Sequence, residues 1–174
     1  QQLNGNTLVV FFSDNGGKVG YAAQVPFRKG KGWLYEGGIR VPLIVRHQDV
    51  VPANAVNHEM VSSNDFYPTF SALLGKDEER RGTDGENIMP LLTGEKDGLS
   101  RKTLCWHYPH YHGTGMEPAG AIRKGKYKLI VWYEELLLNA SSPFELYNLE
   151  KDPGENNNLA GKMPGKVEEL HEAF

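Results

Sequence analysis

In the first part of the chain the apolar residues come in unbroken runs. The segment Thr7 to Phe12 (Thr-Leu-Val-Val-Phe-Phe) is β-rich and does not alternate, which is the pattern of a strand buried on both faces of a parallel sheet. A second apolar strand is expected over Val41 to Val45. The spacing then turns helical. Residues 62–68 open a helix ending at Gly75, with Asp65 as N-cap and Pro68 at the third helical position, where no intrahelical amide bond is lost. Phe66, Phe70, Leu73 and Leu74 form its stripe, expected to be buried, and Gly75 its C′ residue. Residues 76–102 are polar and glycine-containing, with Ile88-Met89-Pro90-Leu91-Leu92 as a short apolar anchor. Beyond them the pattern is that of an antiparallel sheet. Leu104 to Tyr108 starts it, residues 121–123 and 126–133 form a hairpin around Lys124-Gly125, and Phe144 to Leu149 adds a strand closed by Asp152-Pro153-Gly154. Val167, Leu170 and Phe174 keep helical spacing and are expected to cover one face.

These elements divide an α/β chain into three stretches. Residues 1–75 read as the end of a larger, mixed or parallel α/β sheet domain, 76–102 as a connection, and 103–174 as a smaller antiparallel subdomain with a helix. A hydrophobic content of 39% with 24% charged residues is that of a globular chain, without a disorder signature. No apolar stretch approaches the ~20 residues of a membrane span. The single cysteine, Cys105, excludes an internal disulfide and says little about compartment. Asn139-Ala140-Ser141 fits a glycosylation acceptor, a triplet too common to weigh.

Charge narrows the chemistry. The chain carries a net charge of -3, yet between Gly16 and His47 it has Lys18, Arg28, Lys29, Lys31, Arg40 and Arg46 against only Glu36. Such a local cationic window attracts an oxyanion such as sulfate or phosphate; no nucleic-acid partner is expected. Just before it, Ser13-Asp14-Asn15-Gly16-Gly17 follows the first strand, where α/β sheets hold their ligands. Asp14 and Asn15 are hard oxygen donors that suit Ca²⁺ or Mg²⁺ better than zinc. Taken alone, the same five residues also describe an ordinary Asp-Asn-Gly turn. Later, residues 106–115 (Trp-His-Tyr-Pro-His-Tyr-His-Gly-Thr-Gly) interleave three histidines with aromatics. Aromatic faces that stack on sugar rings and imidazoles that donate to oxygens make a sugar-binding rim, with His107 and His110 as its contacts. A strand end with packed aromatics is the alternative. The three histidines lack the helical i, i+4 spacing of a metal-binding pair, which argues against a transition-metal site.

Taken together, Ser-Asp-Asn-Gly-Gly at 13–17 and Lys-Gly-x-x-Tyr-Glu-Gly-Gly-x-Arg-x-Pro at 31–42 resemble the sulfatase family of the alkaline-phosphatase-like superfamily. The segments Ala-Ile-Arg-x-Gly-x-Tyr-Lys-Leu-Ile, Glu-Leu-Tyr-Asn-Leu and Lys-Asp-Pro-Gly-Glu extend the resemblance over most of the chain. It implies that Asp14 and Asn15 complete the coordination of one divalent cation, usually Ca²⁺, and that Lys31, four residues before the Tyr-Glu pair, contacts a sulfate oxygen. Related phosphatases and phosphodiesterases carry Asp-His at this strand end, so Asn15 favours sulfate-ester chemistry over a phosphoester or phosphonate hydrolase. The family's nucleophile is a formylglycine made from an early Cys/Ser-x-Pro-x-Arg segment, which this sequence does not contain. The resemblance therefore implies the C-terminal portion of a longer sulfatase. That portion would be inactive alone, operationally a non-catalytic anion-binding module, and prone to self-association through apolar surface that the rest would cover. A sulfated small molecule or glycan is the implied substrate, and a periplasmic or secreted location is expected from the family.

Overall fold

The computed structural model of the protein describes residues 3–76, 83–139 and 142–174. Ala140 and Ser141 of the Asn139-Ala140-Ser141 triplet, and residues 77–82 of the connection, lie outside them. The chain forms two compact units: one runs to Phe11 and from Leu43 to Lys102, the other comprises Phe12–Pro42 and Thr103–Phe174.

In the first unit, β1 (Val9–Phe12) pairs with β2 (Leu43–Arg46) in a two-stranded sheet. Strands buried on both faces were the expectation here, and the structure corrects it. Phe11 is 59% exposed and Ile44 62%, and no parallel sheet occurs among the described residues. A two-stranded ribbon has too little apolar surface beside it to cover either face. Helix α2 (Phe66–Leu73) ends at Gly75 with φ 68°, as its spacing predicts. Its stripe, however, is largely uncovered: Phe70, Leu73 and Leu74 are exposed, while Asp65 and Thr69 are the buried positions. Nor does the Asp65 side chain cap the helix. Its carboxylate instead accepts from both terminal guanidinium nitrogens of Arg101 at 2.8 Å, from the Glu86 N–H at 2.9 Å and from the Ser62 N–H at 2.7 Å. Glu86 in turn accepts the N–H groups of Ser100 and Arg101. This network holds α2 to the segment carrying α3 (Met89–Thr93). There Ile88 and Leu91 are buried with Leu99, Val61 and Phe66, the anchor that the sequence predicts.

The second unit is built on four antiparallel strands in the order β3 (Thr103–Tyr108), β4 (Ala119–Lys124), β5 (Tyr127–Trp132) and β6 (Phe144–Asn148). The hairpin turn is Gly125-Lys126, one residue later than the spacing suggests. Gly125 adopts φ 56°, the left-handed value that a two-residue turn requires at its first central position and that Lys124 would meet at a cost. Between β5 and β6 lies a short helix, α4 (Tyr133–Leu137), and α5 (Pro164–Ala173) closes the chain.

Strand alternation sorts the side chains of this sheet into two cores. Ile122, Leu129, Val131 and Leu146 meet Val167 and Leu170 of α5 on one face, as the terminal helical spacing predicts. On the other, Ala121, Ile130 and Tyr147 meet Leu34, Tyr35 and Met116. The cover of this second face is the Tyr-Glu-Gly-Gly segment itself, where Glu36–Ile39 forms one helical turn, α1. A sheet covered on both faces explains why β4 and β5 are almost wholly buried.

Burial alone would raise the Asp65 carboxyl, but the Arg101 hydrogen bonds and the two N–H donors outweigh it and hold the group below the usual carboxylate range. A carboxyl depressed on folding contributes stability above its unfolded value of about 3.9, and that stability is lost as pH falls further. Asp65→Asn should therefore lower stability at pH 7 and flatten its acid dependence below about pH 4, as read by urea unfolding against pH.

Candidate functional site

Beyond β1, the Ser13 hydroxyl donates to the Asn15 carbonyl at 2.8 Å and closes the turn that presents Asp14 and Asn15. The next two glycines meet the cationic loop through main chain alone. The Gly16 N–H donates to the Gly38 carbonyl at 2.9 Å, and the Lys31 N–H donates to the Gly17 carbonyl at 3.0 Å. No side chain fits in this contact. A Cβ on Gly16 would strike the Gly37 carbonyl, one on Gly30 the Gly17 carbonyl, and one on Gly37 the carbonyls of Arg28 and Lys29. Glycine is required here for close approach of two backbones. In this way the backbones of two motifs separated in sequence, the Asp14-Asn15 turn and the Lys31 loop, are held against each other.

Asp14 and Lys31 are exposed and Asn15 is partly so, and no side-chain partner engages any of the three among the described residues. Lys31 is distinguished in this respect from its neighbours. The Lys29 ammonium sits 4.2 Å from the Trp33 ring centre and the Arg28 guanidinium 4.1 Å from that of Tyr35. Of the cations at 28–31, Lys31 is thus the one left to meet an external anion. Asp14 and Asn15, both oxygen donors uncommitted to any other contact, fit a hard dication as part of a shell of six to eight oxygens. Further ligands would have to be added, because no cluster of three or more His, Cys, Asp or Glu side chains suited to a metal occurs among the described residues.

The Tyr-Glu pair serves a different purpose. Glu36 is buried, and its N–H donates to Glu155 Oε2 at 2.6 Å. Lys128, on β5 and wholly buried, lies 3.2 Å from Glu36 Oε1 and 2.8 Å from Glu155 Oε1. Arg40 and Arg123 stand 3.6 and 3.8 Å from Glu36 Oε2. Burial raises the Glu155 carboxyl, an effect that the Lys128 charge only partly offsets. Nearby, the hydroxyls of Tyr35 and Tyr147 donate to Glu145 Oε2 at 2.8 and 2.7 Å. Burial first, and then that carboxylate, push both phenols well above their ordinary value. They remain protonated donors. Arg28 completes the set, donating to the Tyr147 hydroxyl and the Glu155 carbonyl at 3.1 Å. Glu36 and Arg40 therefore brace the Tyr-Glu-Gly-Gly turn that follows Lys31.

Alternation along β3 separates the histidines. Trp106 and Tyr108 pack into the core that includes Leu34 and Tyr35, so His107 lies on the opposite face, where its Nδ1 is 2.6 Å from the Tyr133 hydroxyl. His110 lies against Tyr108 with ring centres 4.2 Å apart and ring planes tilted by 41°. His112, also against Tyr108, is the one that reaches the lysine loop. Its ring covers Gly32, whose φ is 85° and whose Cβ would lie 2.5 Å from Nδ1. Alternation within β3 could have separated His107 from Trp106 and Tyr108, but His110 and His112 lie beyond the strand, where no such signal applies.

The family model for the C-terminal region of N-sulphoglucosamine sulphohydrolase matches residues 28–173. A sulfatase from Formosa agariphila is 37% identical over 92% of this chain and 30% of its own length. Human arylsulfatase A is 34% identical over 97% of this chain and 36% of its own. The chain thus spans about a third of the curated relatives it matches. Among solved structures, Ps i-CgsB in complex with k-i-k-neocarrahexaose is 31% identical, with a TM-score of 0.79 over 97% of this chain and 36% of that one. Another, holding its substrate D-glucosamine-2-N,6-O-disulfate, is 29% identical, with a TM-score of 0.78 over 97% of this chain and 33% of its own.

Removing the cation between Glu36 and Glu155 leaves two buried carboxylates facing each other. Lys128→Met should cost about 3–5 kcal/mol in denaturant unfolding, whereas Lys126→Met, at an exposed position, should stay within about 0.5 kcal/mol. Gly16→Ala should lower the melting temperature through its clash with Gly37, while Gly161→Ala, with no atom within 4 Å of the added carbon, should not.

Proposed function

Because the chain belongs to the sulfatase family and corresponds to its C-terminal region, we propose that it supplies one wall of an active site that hydrolyses sulfate esters, with carbohydrate sulfates as the substrate class. The observation that carries this reading is the main-chain contact between Gly17 and Lys31. It brings the backbone of the Lys31 loop against that of the Asp14-Asn15 turn, and the side chains of all three residues have no partner among the described residues. Asp14 and Asn15 would hold a hard dication, Ca²⁺ or Mg²⁺, which when bound neutralises charge on the sulfate oxygens. Lys31 places its ammonium where negative charge develops as the sulfur–oxygen bond breaks. The buried Glu36–Lys128–Glu155 cluster holds the Lys31 loop still, so little reorganisation accompanies the reaction. The nucleophile, expected to be a formylglycine, comes from outside these 174 residues.

Two observations support a glycan substrate. Similar solved structures hold a neocarrahexaose and a disulfated glucosamine, and the histidine–aromatic segment continues on the lysine side of the sheet past Tyr108. A periplasmic or secreted location is part of the same reading.

In the full-length enzyme, Lys31→Ala should reduce kcat/KM for 4-nitrophenyl sulfate by about 10²–10³-fold and leave the melting temperature unchanged, because the side chain has no folded-state partner to lose. Asp14→Ala should weaken Ca²⁺ binding measured by calorimetry. Preferential hydrolysis of 4-nitrophenyl phosphate would redirect the reading to phosphoesters.

A further inference from the structure

We propose that His112 is a specificity-determining residue: its Nε2–H donates to an uncharged oxygen of the sugar ring, next to the sulfate ester held by Lys31. The inference rests on the sulfatase reading above and goes beyond it by assigning a residue to the sugar rather than to the sulfate.

Three observations carry it. The first is position. The His112 ring lies over Gly32, 2.5 Å (Nδ1) and 2.6 Å (Cε1) from where a Cβ would stand. It is therefore adjacent to the residue that carries the free ammonium. The second is tautomer. The Thr114 N–H donates to His112 Nδ1 at 3.3 Å, and the Thr114 hydroxyl lies 2.9 Å from the same atom. A nitrogen that accepts an N–H carries no proton, so in the neutral ring the proton sits on Nε2. No partner engages that donor among the described residues.

The third is rigidity. The His112 N–H donates to the Met116 carbonyl and the Gly115 N–H to the His112 carbonyl, both at 2.9 Å. Met116 is buried in the core that also holds Leu34 and Tyr35. One core therefore anchors both the loop of His112 and the loop of Lys31, and the imidazole is oriented before any ligand arrives. A neutral donor beside a sulfate-binding ammonium suits a hydroxyl or ring oxygen. By contrast, His107 lies on the other face of the sheet with its Nδ1 engaged by Tyr133.

The test compares two substrate types in the full-length enzyme. One is 4-nitrophenyl sulfate, which has no sugar; the other is the better substrate of N-acetylglucosamine 6-sulfate and N-acetylgalactosamine 6-sulfate. His112→Phe keeps a ring over Gly32 but removes the donor, whereas His112→Gln restores an N–H donor. With His112→Phe, KM for the sugar sulfate should rise about tenfold more than KM for the aryl sulfate, and His112→Gln should recover most of the difference. Equal losses on both substrates, or no loss on the sugar, would overturn the proposal. So would a wild-type enzyme that hydrolyses the aryl sulfate and neither sugar sulfate, which would leave the sulfatase reading standing. A wild type that cleaves none of the three would defeat that reading, and the proposal with it.

Discussion

The second unit depends on a single buried cation. Lys128 has no exposure to solvent and sits between Glu36, from the Tyr-Glu-Gly-Gly turn, and Glu155, from the Asp-Pro-Gly-Glu loop. Desolvating one ammonium and two carboxylates is costly, and neither carboxylate could be buried without the lysine. The cluster is therefore weak as a source of stability and strong as a constraint on geometry. The turn lies on the sheet in the one place where its glutamate meets Lys128 and its N–H meets Glu155. Every other contact of the Lys31 loop follows from that placement.

Upon that base, glycine does what a side chain could not. Gly16, Gly30, Gly37 and Gly38 let three stretches of backbone pass at hydrogen-bond distance. The groups that face outward carry no internal commitment, and the groups beneath them are engaged with one another. Stability and reactivity are thus divided between layers. Tyr35, Glu36 and Arg28 spend their polarity inside the protein, whereas Asp14, Asn15 and Lys31 keep theirs for a ligand. This division accounts for a cationic window in which only one of three neighbouring cations lacks a partner.

The unit carrying β1, β2 and α2 shows the converse. Phe11, Ile44, Phe70 and Leu74 are apolar at the spacing of buried elements, yet they are exposed. Their pattern describes surroundings richer than a two-stranded ribbon and one helix provide. What holds this unit is a small apolar cluster around Ile88, Leu91 and Leu99 together with a polar cross-link, in which the Asp65 carboxylate gathers Arg101 and two backbone N–H groups at one point. The residue that read as a helix cap is a cross-link, because a buried carboxylate requires more donors than a single helix end supplies.

Local chemistry was legible from residue order. Asp14 and Asn15 at a strand end, Lys31 in a glycine-rich loop, Gly75 after a helix and the spacing of Val167 and Leu170 each act within a few residues. Short-range sterics and periodicity therefore disclose them. The depth of β1, the one-residue shift of the hairpin to Gly125, and the choice among three histidines were not settled in that way. Each depends on which surface lies opposite, and that is a property of pairs of segments far apart in sequence. Only tertiary structure could show that Lys128 looks inward to two glutamates while Lys126 faces water, or that His112 covers Gly32 while His107 lies across the sheet. The sequence determined which groups were available; the packing of the turn against the sheet decided which of them remained free.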